Sequence, residues 1–339
     1  MFNNIISRLY ENENENKNKN NNILILFEYL KKVNTNLAKN CLYYKDFSFK
    51  LGKILKSKTL FNSSSSTIIK SQNIKDTYIM NTRIVNYTLN SIGKSNNSEK
   101  CITINKLSFI DASFNEFYYK FIISNCNLKS KYVGIEDIRL FNFNDEIFYI
   151  GSYYNINNDK VQIVSNKLIK NKPYENKIII TPNFETNFKW EKNWVFFNND
   201  NQINIIYKWY PIYICSIDYE NKSLNLIRII ENLPDIFKNF RGSTNGLIYD
   251  EKIWFIVHQQ DNIVNDIKIY LHYLVVFDKN MKLLGYSKPF NFENKLIEYC
   301  LGMELSLKNN FIITYSTLDS STKLVVFSPN YVNSLINYI

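Results

Sequence analysis

Short apolar and aromatic runs, each closed off by Asn, Asp, Lys or Ser, recur along the chain beyond Leu60: residues 77–80, 117–123, 147–153, 203–209, 252–257, 267–277 and 311–315. Runs of that length bounded by turn formers are the signal of β-strands. Polar triplets at 144–146, 198–200, 249–251 and 308–310 stand directly before such runs and predict tight turns. The pattern predicts an all-β domain over 61–339, as a sandwich, barrel or propeller. Residues 1–60 read differently. Residues 11–22 alternate Asn with Glu and then Lys, a low-complexity tract that cannot bury a core. Over 23–39, Ile23, Leu24, Leu26, Phe27, Leu30 and Val33 fall at helical spacing and predict one short amphipathic helix. A partly helical or disordered N-terminal extension is therefore expected ahead of the β domain.

The β pattern also repeats. Five segments of about 40–55 residues, beginning near Asn62, Gly134, Glu191, Phe240 and Ile297, share one layout: a polar motif, a tight turn, an aromatic strand and a further strand. That repetition favours a five-bladed β-propeller. Equivalent positions of successive blades converge on a central channel, so the polar motifs that open the segments would meet in one funnel.

Composition narrows the function. The 339 residues are 45% hydrophobic and 16% aromatic, which argues against a mainly disordered chain. The net charge of +10 invites a nucleic-acid partner, but the lysines are scattered among asparagines and form no periodic basic face. No nucleic acid is expected. The five cysteines form no CxxC pair and fit a reducing compartment. No apolar run approaches ~20 residues and no secretory leader is evident, so a cytoplasmic protein without membrane insertion is expected. With two histidines and no cysteine near them, neither a metal site nor another cofactor is expected.

The densest chemistry lies in Gly134-Ile135-Glu136-Asp137-Ile138-Arg139-Leu140. Neighbouring side chains of a strand face opposite ways, so Glu136 and Asp137 share a pocket only if the backbone bends; Gly134 is the residue that permits it. Asp137 is then a candidate general acid, its rival reading being a strand-start ion pair with Arg139. Glu298 is a lone acid in an apolar run, and Glu304 follows it; two separated acids satisfy inverting glycoside chemistry. Arg241 to Gly246 forms a polar, glycine-flanked motif that offers a guanidinium and Asn245 to an anion or to sugar hydroxyls. It is not a phosphate loop, because no GK[ST] follows. His258 and His272 lie in the fourth segment without the GxSxG of a nucleophile elbow. Arg83 interrupts an apolar strand end, as either a channel residue or an edge charge.

Together these motifs resemble glycoside hydrolase family 130, the β-mannoside phosphorylases and related hydrolases and mannosyltransferases. Gly134-Ile135-Glu136-Asp137-Ile138-Arg139 is similar to that family's G-x-E-D-P-R signature. The motifs around Met80, Trp194, Tyr210-Pro211, Arg241, His258, His272, Lys288 and Glu298 resemble a divergent branch found in large DNA viruses, in the expected order over about 60–330. The resemblance implies a five-bladed propeller and Asp137 as general acid; with it, Glu298 or Glu304 is expected as the base or as a sugar-binding acceptor. Arg83, Glu136, Arg139, Arg241, Asn245, His258, His272 and Glu304 would bind substrate, with inorganic phosphate or a sugar phosphate as a second partner. Three departures weigh against phosphorolysis: Ile138 replaces proline, Tyr273 follows His272, and no arginine follows Tyr154. A non-catalytic glycan- or protein-binding propeller is the alternative.

Overall fold

The computed structural model describes residues 33, 36–52, 55, 59–90, 95, 100–124, 130–169, 172–186, 188–199, 202–262 and 268–339. They are nearly all β. Strands β1 (Tyr43–Asp46) and β2 (Lys50–Leu51) precede a meander of β3 (Phe61–Lys70), β4 (Thr77–Val85), β5 (Cys101–Asp111) and β6 (Glu116–Ile122). After β7 (Tyr132–Val133) comes a second meander, β8 (Ile135–Phe143), β9 (Glu146–Asn155), β10 (Lys160–Lys167) and β11 (Ile178–Pro182). A third follows: β12 (Val195–Asn199), β13 (Gln202–Trp209), β14 (Ile212–Asp218) and β15 (Ser223–Ile230). Next, β16 (Phe240–Gly242) and β17 (Leu247–Tyr249) both pair with β18 (Lys252–Asn262), which continues into β19 (Lys268–Asp278) and β20 (Leu283–Ser287). The last strands are β21 (Glu298–Leu305), β22 (Phe311–Thr317), β23 (Lys323–Phe327) and β24 (Ile336–Tyr338).

The second and third meanders form one eight-stranded sheet, in which Thr181 and Pro182 of β11 run parallel to Ser223 and Leu224 of β15. The turns predicted at 144–146, 249–251 and 308–310 are present, and that at 198–200 falls partly outside the described residues. Asn144 and Asp145, and likewise Asp250 and Glu251, adopt left-handed backbone between antiparallel strands, as tight hairpins require. Burial falls from β3, which is buried over almost its whole length, to β6, where Phe117, Tyr118 and Tyr119 are exposed. The opening strand of each meander is thus central and the closing one peripheral. Those central strands adjoin: β21 lies against β3, β3 against β8, and β8 against β12, while β18 returns to β21. The resulting arrangement is propeller-like.

Apolar cores lie between successive sheets. Phe141 stacks on Phe196 to join the second and third meanders, and Trp209 meets Phe255 edge-on to join the third and fourth. Gly302 marks the closest approach of β21 to β3: a Cβ there would lie 2.3 Å from Thr314 Oγ1 and 2.9 Å from the Ile68 nitrogen. Part of the expected N-terminal extension is built into the domain. β1 pairs antiparallel with β23, Tyr43 opposite Val326, and Leu37 is buried in the core beneath it. The helix expected over 23–39 falls almost entirely outside the described residues; Leu37–Asn40 is a 3-10 turn.

Candidate functional site

The register of β8 against β9 breaks between Glu136 and Arg139, and Asp137 within that bulge has φ 50°. A bulge sets two residues against one and redirects a side chain. Its effect here is that Glu136 and Asp137 both reach Arg83. Arg83 Nη2 lies 3.1 Å from Glu136 Oε1, and Nη1 lies 3.1 Å from Asp137 Oδ1. Gly134 bends the chain as well, at φ 100°, and a Cβ there would meet the Thr103 carbonyl oxygen at 2.2 Å. The bend that pairs the two acids, however, is at Asp137 itself. Both carboxylates keep a partly open face, with side chains 23% and 21% exposed, whereas Arg83 is buried.

A third carboxylate completes the cluster. Strand β3 has its own register shift between Ser63 and Ser66. Adjacent serines there donate to different acids: Ser65 Oγ to Asp137 at 3.1 Å and Ser64 Oγ to Asp319 at 2.9 Å. Asp319 follows the end of β22 at φ 49°. The two aspartates are driven apart electrostatically. Burial presses the Asp137 carboxyl upward, but Arg83, Arg139, Lys192 and the Ser65 hydroxyl hold it below its ordinary value. Burial raises that of Asp319, and the nearby Asp137 charge adds to the rise against the pull of Arg83. Tyr87 donates no charge but places its hydroxyl 3.2 Å from Arg83 Nη2.

Beneath the carboxylates Arg139 forms a crossbar. Its Nε donates to the Ser243 carbonyl at 2.7 Å, and Nη2 to the Gly242 carbonyl at 3.2 Å and the Tyr299 hydroxyl at 2.9 Å. Nη1 donates to the Asp137 carbonyl at 3.2 Å. The side chain is fully buried and ties the second, fourth and last sheets together. His258 packs against the same layer. Its ring stacks on Tyr270, meets Tyr299 edge-on and pairs through Nδ1 with Ser243 Oγ at 2.8 Å. Burial, with the neighbouring His272, Arg241 and Arg139, holds it well below the usual imidazole value.

No protein-family model and no curated protein sequence matches the chain. Solved structures do. The chain is similar to the β-1,2-mannobiose phosphorylase of Listeria innocua in complex with β-1,2-mannobiose, at 10% identity over 85% of this chain and 99% of that one, with a TM-score of 0.54. It is also similar to a structure described with the GH130 mannoside phosphorylases, a family containing glycoside hydrolases that target β-1,2-mannosidic linkages in Candida mannan; identity is 9%, coverage 79% and 84%, and TM-score 0.50. The fold is that of the family 130 mannoside enzymes.

On this family 130 fold, the residues singled out in the sequence separate into two groups. Asp137, Glu136 and Arg83 meet at one place, and Arg139 and His258 support it from below. Arg241 is exposed and donates to Gln260 Oε1 at 3.0 Å. The others make their contacts away from that cluster. Glu298 is 0% exposed, and its carboxylate accepts from the backbone N–H groups of Phe292, Glu293 and Lys295. Burial outweighs these bonds and raises it to about 7. Tyr299 turns to Arg139 while Glu298 turns to the 291–295 loop, so the structure does not bring Glu298 to Asp137. Asn245 bridges strands, donating to the Leu140 carbonyl at 2.8 Å and accepting from the Phe196 nitrogen at 3.0 Å. His272 is fully buried between Phe290 and Phe292, accepts from the Cys300 nitrogen at 3.2 Å and is lowered by burial to about 3. Glu304 accepts from the Lys70 and Leu305 nitrogens, at the far end of β21. Sequence reasoning missed Asp319 and the individual roles of Ser64, Ser65 and Tyr87. Leu318-Asp319-Ser320 reads as an ordinary turn, and only its tertiary neighbours mark it. Among the described residues, no group of three or more His, Cys, Asp or Glu is arranged to hold a metal ion.

Proposed function

We propose that this chain is a carbohydrate-active enzyme of the glycosidase or glycoside phosphorylase type, acting on a mannose-like glycoside at the mouth of a five-bladed propeller. The five blades are the four-strand meanders beginning at β3, β8 and β12, the sheet around β18, and β21–β23 completed by β1. In this reading the β11–β15 contact is a joint between two blades. The single observation that carries the function is the pair Asp137 and Asp319, anchored on adjacent serines of β3 and both within the field of Arg83. Inverting glycoside chemistry needs one carboxyl that holds a proton and one that is ionised. Arg83 keeps Asp137 ionised, which suits activation of the attacking oxygen; Asp319 is the carboxyl favoured to carry the proton to the leaving group. This reverses the acid role expected for Asp137 from the family signature.

The charge balance bears on the nucleophile. Glu136, Asp137 and Asp319 surround Arg83, while Arg139 is committed to carbonyls and a phenol. Arg241, Lys192 and Lys288 are exposed cations outside that cluster, so water or a sugar hydroxyl is the favoured attacking group. The test is a screen of β-mannosides with and without inorganic phosphate, followed by detection of free mannose and mannose phosphate. Phosphate-independent release supports this account, and mannose phosphate formation would replace it with phosphorolysis. A second reading, a non-catalytic glycan-binding propeller, draws on the ion pairing of Asp137 to Arg83; it requires binding of the same mannosides with no turnover.

A further inference from the structure

Below the Arg139 crossbar the chain forms a second, half-open space, away from the carboxylate cluster. Along β8, Asp137, Arg139 and Asn142 follow one another from the mouth downward, and β3 (Ser65 to Lys70) and β21 (Tyr299 to Glu304) run in step. At the lower end lies a cavity of about 570 Å³. Asn142, Asn198 and Glu304 line it, with Leu140, Phe141 and Met303 as apolar wall. Two of its acceptors are unused: Asn142 Oδ1 and Asn198 Oδ1 are buried without a hydrogen-bond partner among the described residues. The Asn142 amide has a defined orientation, because its Nδ2 donates to the Lys70 carbonyl at 2.7 Å. Buried carbonyl oxygens left unpaired cost free energy, and a ligand that donates to them recovers it. Lys70 offsets Glu304, and Asp145 at the exposed rim leaves the lining one acid in excess, so the cavity calls for hydrogen-bond donors on a ligand that is not an anion. Acceptors beside an apolar wall match the hydroxyls and the C–H face of a sugar ring.

We propose that this cavity is a second saccharide site, separated from the Asp137 cluster by Arg139 and taking a neutral polyhydroxylated ligand of one or two rings. The site does not depend on the catalytic reading of the mouth. Asn142 and Asn198 accept ligand hydroxyls, and Glu304, already fixed by the Lys70 and Leu305 nitrogens, offers its remaining lone pairs.

The experiment is calorimetric titration of the full chain with mannose, glucose and β-1,2-mannobiose, in Arg83→Met to disable the mouth and in two cavity variants made on that background. Asn198→Ala removes one acceptor and is expected to weaken binding roughly five- to tenfold, the worth of one hydrogen bond. Ile248→Trp fills the partly exposed rim of the cavity and is expected to abolish binding without disturbing the core. Sugar density beside Asn142 and Asn198 in soaked crystals is the matching structural result. The proposal is overturned if Arg83→Met binds none of the three sugars, or if its binding is indifferent to both cavity substitutions. Failure of the mouth as an enzyme reads out separately, as absent turnover with cavity binding retained.

Discussion

Asp137 owes its position to a left-handed backbone conformation that few non-glycine residues adopt, and to a guanidinium that keeps its carboxyl ionised. On the proposed mechanism, activity declines at acid pH as Asp137 protonates, at a pH below the ordinary aspartate value. It declines on the alkaline side as Asp319 ionises, above that value; Asp319→Asn should remove the alkaline limb along with most of the rate, as a pH–rate profile would show. Arg139 is a strut, so Arg139→Lys should act on folding: losing the planar fork to four partners is worth about 2–4 kcal/mol, seen as a lower denaturation midpoint. Glu298 gives a second pH effect. Its folded value of about 7 exceeds the ordinary 4.5, so the folded state holds the proton more tightly. That stabilisation is complete below about pH 4.5 and is lost as pH rises to about 7, on the order of 3 kcal/mol. In Glu298→Gln, urea titrations across this window should show a flatter stability profile. The sequence made Glu136, Asp137, Arg83 and Arg139 legible because acids and arginines stand out in apolar strands. It left Asp319 hidden and made Glu298 conspicuous, since a carboxyl's partners are fixed by distant backbone that spacing does not encode.

At the level of elements, aromatic alternation was enough to place β9, β13, β18, β19 and β22, and polar triplets placed the turns ahead of β9, β18 and β22. Strand β3 defied the pattern: Ser63, Ser64, Ser65 and Ser66 read as a polar opening motif, yet all four are buried in a central strand. Tertiary neighbours satisfy such residues, as Thr322 does by donating to the Ser64 carbonyl. Gly134 is the least replaceable link, because its φ is 100° and the Thr103 carbonyl oxygen lies 2.2 Å from where a Cβ would sit. Gly134→Ala should destabilise by about 3 kcal/mol or more, measurable by chemical denaturation, and should disorder the bulge that presents Asp137. β1 is the corresponding link at the other end of the chain. Removing residues 1–48 deletes β1 and the buried Leu37, and should lower the thermal midpoint by roughly 5 °C or more.

The molecule as a whole carries its charge in two layers. A net charge of +10 is spread over the sequence, while the mouth gathers three carboxylates around Arg83. Of the five segment starts predicted, Asn62, Gly134, Glu191 and Ile297 fall within four residues of a central strand, whereas Phe240 lies twelve residues ahead of β18. Convergence on one mouth explains how Ser64, Arg83, Asp137 and Asp319, far apart in sequence, come to share one field. The most direct measurement of the central claim is release of mannose from β-1,2-mannobiose by wild type and Asp137→Asn, assayed side by side with circular dichroism to confirm equal folding. The account predicts turnover by the wild type and a loss of about 10²–10⁴-fold in the variant. Equal turnover by two equally folded proteins would contradict it.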